Sequence, residues 1–170
     1  MKTTIEQLKK DGAKKGLCAE WQNRLTEETS IQKLCELYIQ GIDFCISEDF
    51  PSLEILRRDF KGKCESYGVF IDDYIDHAVN KPDLVLNGSC EANLVYNGYT
   101  VSQLYIRHES TAKMIVSDRS VLTIDAFDES ELYVNVLTPK CKVFVNIYGN
   151  AKVHTFGPNI KIRNTNKSTY

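Results

Sequence analysis

No stretch of this 170-residue chain is apolar for long enough to cross a bilayer, and its first residues, MKTTIEQLKKDG, lack the hydrophobic core of a signal peptide. A membrane protein is therefore not expected, and the cytoplasm is the expected location. Histidine is scarce, with His77, His108 and His154 far apart, and the six cysteines contain no Cys-x-x-Cys pair. A metal site of the zinc type is not expected. Cysteines at such wide, unequal spacing read as small buried hydrophobes in a reducing compartment. The segment DGAKKG around Gly12 and Gly16 lacks the Lys-Ser/Thr and the preceding strand of a phosphate loop. No cofactor is implied. A net charge of −2 gives no global attraction to nucleic acid or anionic lipid, while 26% charged and 42% hydrophobic residues mark an ordinary globular chain.

What the chain does have is a period of ten. From Leu84 onward it divides into lines beginning LVLNGSCEAN, LVYNGYTVSQ, LYIRHESTAK and MIVSDRSVLT, with IDAFDESELY, VNVLTPKCKV, FVNIYGNAKV and a degraded last line following. The first and third columns are apolar in seven of eight lines, and turn formers close each line. Columns that repeat by translation favour parallel stacking over an antiparallel meander. Ten residues are too few for a whole coil, because two crossings of a sheet packing roughly 10 Å wide consume about six of them. Each line is thus half a coil, one strand plus one corner, and residues twenty apart are neighbours. Residues 84–163 should form about four coils of a β-solenoid, preceded by a connecting segment and first strand over 66–83 and followed by a tail over 164–170.

Residues 1–65 read instead as helix. Thr3 and Glu6 have the spacing of a capping box. Leu17, Trp21 and Leu25 recur at helical spacing, Ser30 can cap a helix carrying Ile31, Leu34, Cys35, Tyr38 and Ile39 that stops at Gly41, and Pro51 suits the first turn of a helix bearing Leu53, Leu56 and Phe60. The expected class is α+β, with a small helical region capping one end of the solenoid, since a bare parallel edge invites pairing with other chains.

Several groups tempt a chemical reading. His108, Ser110 and Asp128 share a solenoid edge under twenty-residue stacking, but Ser and Asp at corners serve turns more readily than a hydrolytic triad. Asp72, Asp73, Asp76 and His77 form the densest set of possible ligands; on a helix, Asp73 and His77 would share a face. Asp125, Asp128, Glu129 and Glu131 lack the pattern of calcium-binding solenoids. Lys9, Lys10, Lys14 and Lys15 near the start, and Lys152, Lys161, Arg163 and Lys167 near the end, are locally basic. Tyr96, Tyr105, Tyr133 and Tyr148 crowd the repeats; Tyr105 and Tyr133 stand in columns that are polar in neighbouring lines, so outward-facing rings and an interaction surface are expected.

The EWQ helix, the GIDFC segment and the YIRHES corner resemble small proteins, without assigned activity, encoded in gut Bacteroidales genomes and their mobile elements. That resemblance implies no site residues and slightly favours a prophage or accessory-gene origin. The function expected from the residues is a non-enzymatic structural or protein-interaction module acting on a protein partner or on itself. Carbohydrate binding or processing is the alternative and nucleic-acid binding the second, disfavoured one. No catalytic residues are assigned.

Overall fold

The computed structural model describes residues 2–170, which fall into two compact units, one running to Tyr67 and the other covering Gly68–Thr169. The first is helical: α1 Lys2–Lys14, α2 Ala19–Arg24, α3 Ile31–Gln40, α4 Ile42–Ser47 and α5 Leu53–Ile55. Helix α1 already contains Thr3, so Thr3 is not its cap. Ser30 does cap α3, its hydroxyl accepting from the Lys33 amide at 3.2 Å. Gly41 ends α3 at φ −105°, outside the left-handed region, and its carbonyl at once accepts from the Cys45 amide at 2.9 Å. The chain therefore re-enters a helix, α4, where a stop was expected. Pro51 precedes the cap of α5 instead of opening its first turn, and Ser52 is the cap. Beyond Ile55 the helix widens over Leu56–Phe60, where the Lys61 amide reaches back five residues to the Leu56 carbonyl, and this turn buries Leu56 and Phe60.

The second unit is an all-parallel β-solenoid of about five turns. Its strands are β1 Val69–Ile71, β2 Tyr74–Val79, β3 Asp83–Asn87, β4 Glu91–Tyr96, β5 Val101–Ile106, β6 Thr111–Val116, β7 Val121–Ala126, β8 Glu131–Val136, β9 Lys142–Ile147, β10 Lys152–Phe156 and β11 Ile160–Asn164. Odd strands form one sheet in the order β1-β3-β5-β7-β9-β11, and even strands the other in the order β10-β8-β6-β4-β2. Consecutive strands thus alternate between sheets, as half-coils of ten require. The turn count exceeds the expected four because β1 and β2 already belong to the stack, pairing with β3 and β4.

Alternation along each strand sends every second side chain into the space between the sheets. Ala112, Met114 and Val116 of β6 sit above Leu132, Val134 and Val136 of β8, while Leu122, Ile124 and Ala126 of β7 continue from Leu104 and Ile106 of β5. All are buried. Each such Val, Leu or Ile contributes roughly 1.5–3 kcal/mol relative to an exposed position, which makes the inward columns the main source of stability.

One register change revises the reading by columns. The corner before β9, Leu-Thr-Pro-Lys-Cys, is one residue longer than the Ser-Asp-Arg-Ser corner stacked beside it, so Leu122 pairs with Val143 and Ile124 with Val145. A one-residue slip exchanges the faces of a strand. Phe144 and Phe156, which continue the apolar columns in sequence, consequently point outward and are exposed.

The corners explain the polar half of the repeat. Gly88, Gly98, His108, Asp118, Asp128 and Gly149 all have φ between 58° and 75°, the left-handed conformation that glycine and, less readily, Asp, Asn and His adopt. Where the residue is not glycine, its side chain ties the corner to the coil before it. Asp118 accepts from the Gly98 amide at 2.8 Å, His108 Nδ1 from the Gly88 amide at 3.0 Å, and Asp128 from the His108 amide at 2.8 Å, each across twenty residues. Ser110 and Ser120 are buried beside these turns and donate to the Gly88 and Ser117 carbonyls at 3.0 and 2.9 Å.

Candidate functional site

The corner ladder accounts for the residues that resemble a hydrolytic triad. His108 does lie over Asp128, but Asp128 accepts from the His108 backbone amide, while the imidazole is held by the Gly88 amide. Nδ1 of His108 accepts from Gly88, so the proton of the neutral ring sits on Nε2. Ser110 is buried and points its hydroxyl at a carbonyl. These are the bonds of a turn, with no nucleophile facing a base.

Asp72, Asp73, Asp76 and His77 occupy a corner and a strand, not a helix. Asp72, left-handed at φ 49°, accepts from both the amide and hydroxyl of Ser89 at 2.9 and 3.2 Å. Asp73 accepts from the Ile71 amide at 2.8 Å. Asp76 pairs with His77 Nδ1 at 3.0 Å on the bulged part of β2, where the register against β4 shifts between Ile75 and Ala78. Alternation and the bulge thus separate Asp73 from His77. Among the described residues, no group of three or more His, Cys, Asp or Glu side chains is placed to hold a metal ion.

The four tyrosines also part company. Tyr96 points inward and is fully buried; its hydroxyl has no hydrogen-bond partner, and burial, with Asp83 adding to it, pushes its pKa up. Tyr105 projects from the outer side of β5, as expected, yet is only 5% exposed. Tyr148 is buried and stacks on Phe127 with ring centroids 4.5 Å apart. Tyr133 is the member of the set that faces solvent, at 37% exposure. Three of the four are therefore packing residues and cannot form the expected surface.

Tyr133 belongs to the outer face of the even-numbered sheet. One row of that face runs Asn93, Lys113, Tyr133, His154 across β4, β6, β8 and β10. The Tyr133 and His154 rings stack at 4.7 Å and 14°, and Lys113 Nζ stands 6.0 Å from the Tyr133 centroid. The Tyr133 hydroxyl donates to Glu131 at 2.6 Å, and His154 Nε2 lies 3.4 Å from the same carboxylate. The tyrosine hydrogen bond first, with His154 and Lys152 adding to it, holds the Glu131 carboxyl below its ordinary range. A second row, Val79, Val95, Ile115, Asn135, Phe156, lies beside the first. Val79, Ile115 and Phe156 are 52%, 45% and 77% exposed. Between the rows runs a shallow depression of about 490 Å³.

Two features of this face escaped the sequence reading. Phe156 joins the apolar row only because of the extra residue before β9. The second, of which the sequence reading took only the locally basic end, is that no Asp or Glu follows Glu131, whereas Lys140, Lys142, Lys152, Lys161, Arg163 and Lys167 do. A chain of net charge −2 thus ends in a purely basic run, and Lys152 and His154 bring it onto this face. Among the described residues, Lys161, Arg163 and Lys167 make no ion pair, and no helix is long and apolar enough to cross a membrane. Neither a protein-family model, nor a curated protein, nor a solved structure matches the chain.

Proposed function

We propose that the protein is a non-enzymatic interaction module whose solenoid presents the outer face of the even-numbered sheet to a protein partner. The carrying observation is the apolar row Val79, Val95, Ile115 and Phe156, exposed at all but the half-buried Val95 and set on a rigid parallel sheet beside the Tyr133–His154 stack. Apolar and aromatic groups fixed by a backbone ladder lose little entropy on binding, and solenoids characteristically serve as extended binding surfaces. Lys113, Lys152 and His154 flank the row, so the matching surface is apolar at its centre and acidic at its border. Six free cysteines, five of them buried, suit the reducing cytoplasm in which we place this module, and an accessory role of the kind encoded on mobile elements fits it.

A carbohydrate-binding role draws less support from this face. Sugars stack on the open face of an aromatic ring, whereas Tyr133 stands between Lys113 and His154 and turns its edge outward. The acid-free C-terminal run is what favours a nucleic-acid partner, which would bind with steep salt dependence.

Capture from a lysate of the source organism tests the reading, comparing the wild type with Ile115→Asp, each with and without nuclease treatment. A stoichiometric protein retained by the wild type and lost by the variant is expected. Capture of nucleic acid or glycan instead, or equal retention of the same protein by both chains, contradicts it.

A further inference from the structure

The helical unit contains an apolar cavity of about 450 Å³, within the range of small-molecule sites. Its walls include Leu8 of α1, Trp21 of α2, Leu34 and Leu37 of α3, Phe44 of α4, and Phe60. Helix α2 covers it differently from the rest. None of its residues is fully buried, and it follows Gly16, which sits at φ +89° with open space where a Cβ would be. Trp21 rests against Gly41, where a Cβ would come within 3.3 Å of the indole. On the outside, Arg24 lies 4.8 Å from the Trp21 ring, with Glu20 at 3.9 Å and the Gln40 side-chain oxygen at 3.5 Å. The short helix is thus held over the cavity by one half-buried indole and exposed polar contacts, which is the construction of a lid.

The rim supplies the chemistry of the occupant. Asp43 lines the opening, is exposed, and forms no ion pair among the described residues. One of its carboxylate oxygens accepts from the Phe44 amide at 2.8 Å, which leaves the other to accept from a ligand. We propose that this cavity binds a small amphiphilic amine, its aliphatic or aryl body among the apolar walls and its ammonium at Asp43, with α2 closing over it.

Trp21 is the single tryptophan of the chain, so its emission reports on the lid without labelling. Full-length protein is titrated with octylamine, octanol and octanoate, all below micellar concentration. A saturable shift of Trp21 emission is expected, with octylamine binding about tenfold tighter than octanol, equivalent to roughly 1.4 kcal/mol, and octanoate weakest. Asp43→Asn should bring octylamine down to the octanol level while leaving octanol binding unchanged. Leu34→Phe, which narrows the cavity, should weaken the response to all three several-fold; its helical circular dichroism and thermal transition establish that it folds, and if it does not, Leu37→Phe replaces it. Absence of a saturable response in the wild type, or a response undiminished by cavity filling, overturns the site. Octanol or octanoate binding as tightly as octylamine, or an octylamine affinity untouched by Asp43→Asn, overturns the ligand class.

Discussion

Tyr96 and Ser102 each carry a hydroxyl into the core with no hydrogen-bond partner. An unsatisfied buried hydroxyl costs on the order of 1–3 kcal/mol, so Tyr96→Phe should stabilise the protein by about 1 kcal/mol in denaturant unfolding and leave partner capture unchanged. A loss of capture would restore Tyr96 to the interaction surface. At the corners the balance has the opposite sign. Asp128 combines a φ of 60° with a hydrogen bond to the preceding coil. Asp128→Ala forfeits the bond and places an alanine in the left-handed region, for a loss of about 2 kcal/mol; Asp128→Asn keeps an acceptor and should lose less than half of that. Alternation told correctly that Tyr105 and Tyr133 leave the sheet on its outer side. It did not tell that Tyr105 is buried there, because alternation fixes the direction of a side chain and not what lies beyond it.

The strands were the most legible elements, since every coil must place an apolar residue at the same inward positions and the period of ten records that demand directly. The corners were legible as turns for the same reason, with Asn-Gly, Asp-Arg-Ser and Asp-Glu-Ser marking the left-handed position. Three features were hidden. Helix α4 begins where Gly41 reads as a stop, because glycine marks an end without specifying φ. Residues 72–77 carry too few apolar residues for either period to dominate, and the bulge in β2 removes the alternation altogether. The register change before β9 depends on a single extra residue, invisible to a fixed column. Deleting Pro139 trims this corner to the four residues of its neighbours and leaves Val143 and Val145 inward, so denaturant unfolding should show a loss of no more than about 1–2 kcal/mol, of the order of one corner hydrogen bond. Gly157, at φ +103°, would drive a Cβ into the Val136 carbonyl. Gly157→Ala should therefore detach β10 and β11, read as faster amide exchange confined to residues 152–164, at a cost of about 1–3 kcal/mol.

Across the whole molecule, titration at high pH reports on burial. Burial first, then Glu65 and Glu36, pushes the Cys35 thiol from 9.0 up to about 12, and burial likewise raises Cys90 and Tyr96. The fold favours the protonated form of each, so the stability linked to them is fully present below about pH 9 and is lost as the pH rises toward the folded values. The thermal midpoint should fall between pH 8 and pH 10.5, and less steeply in Cys35→Ala. In the native state the exposed Cys18 should react with a thiol reagent at once, and the five buried cysteines only after unfolding. Charge is distributed as unevenly as burial. All acidic residues precede position 132 and the last coils are purely basic, so on the proposed reading the border of the even-numbered sheet attracts acidic partners, and capture should fall with added salt.

Site-specific photo-crosslinking tests the role of that sheet most directly. A photoreactive amino acid is placed at Ile115 on its outer face in one chain, and in another at Gln103, exposed on the outer side of the opposite sheet. Covalent adducts to one protein from position 115, absent from position 103 and suppressed by Phe156→Asp, are expected. Adducts from position 103 alone, or equal adducts from both positions, would contradict the assignment of the partner to the even-numbered sheet.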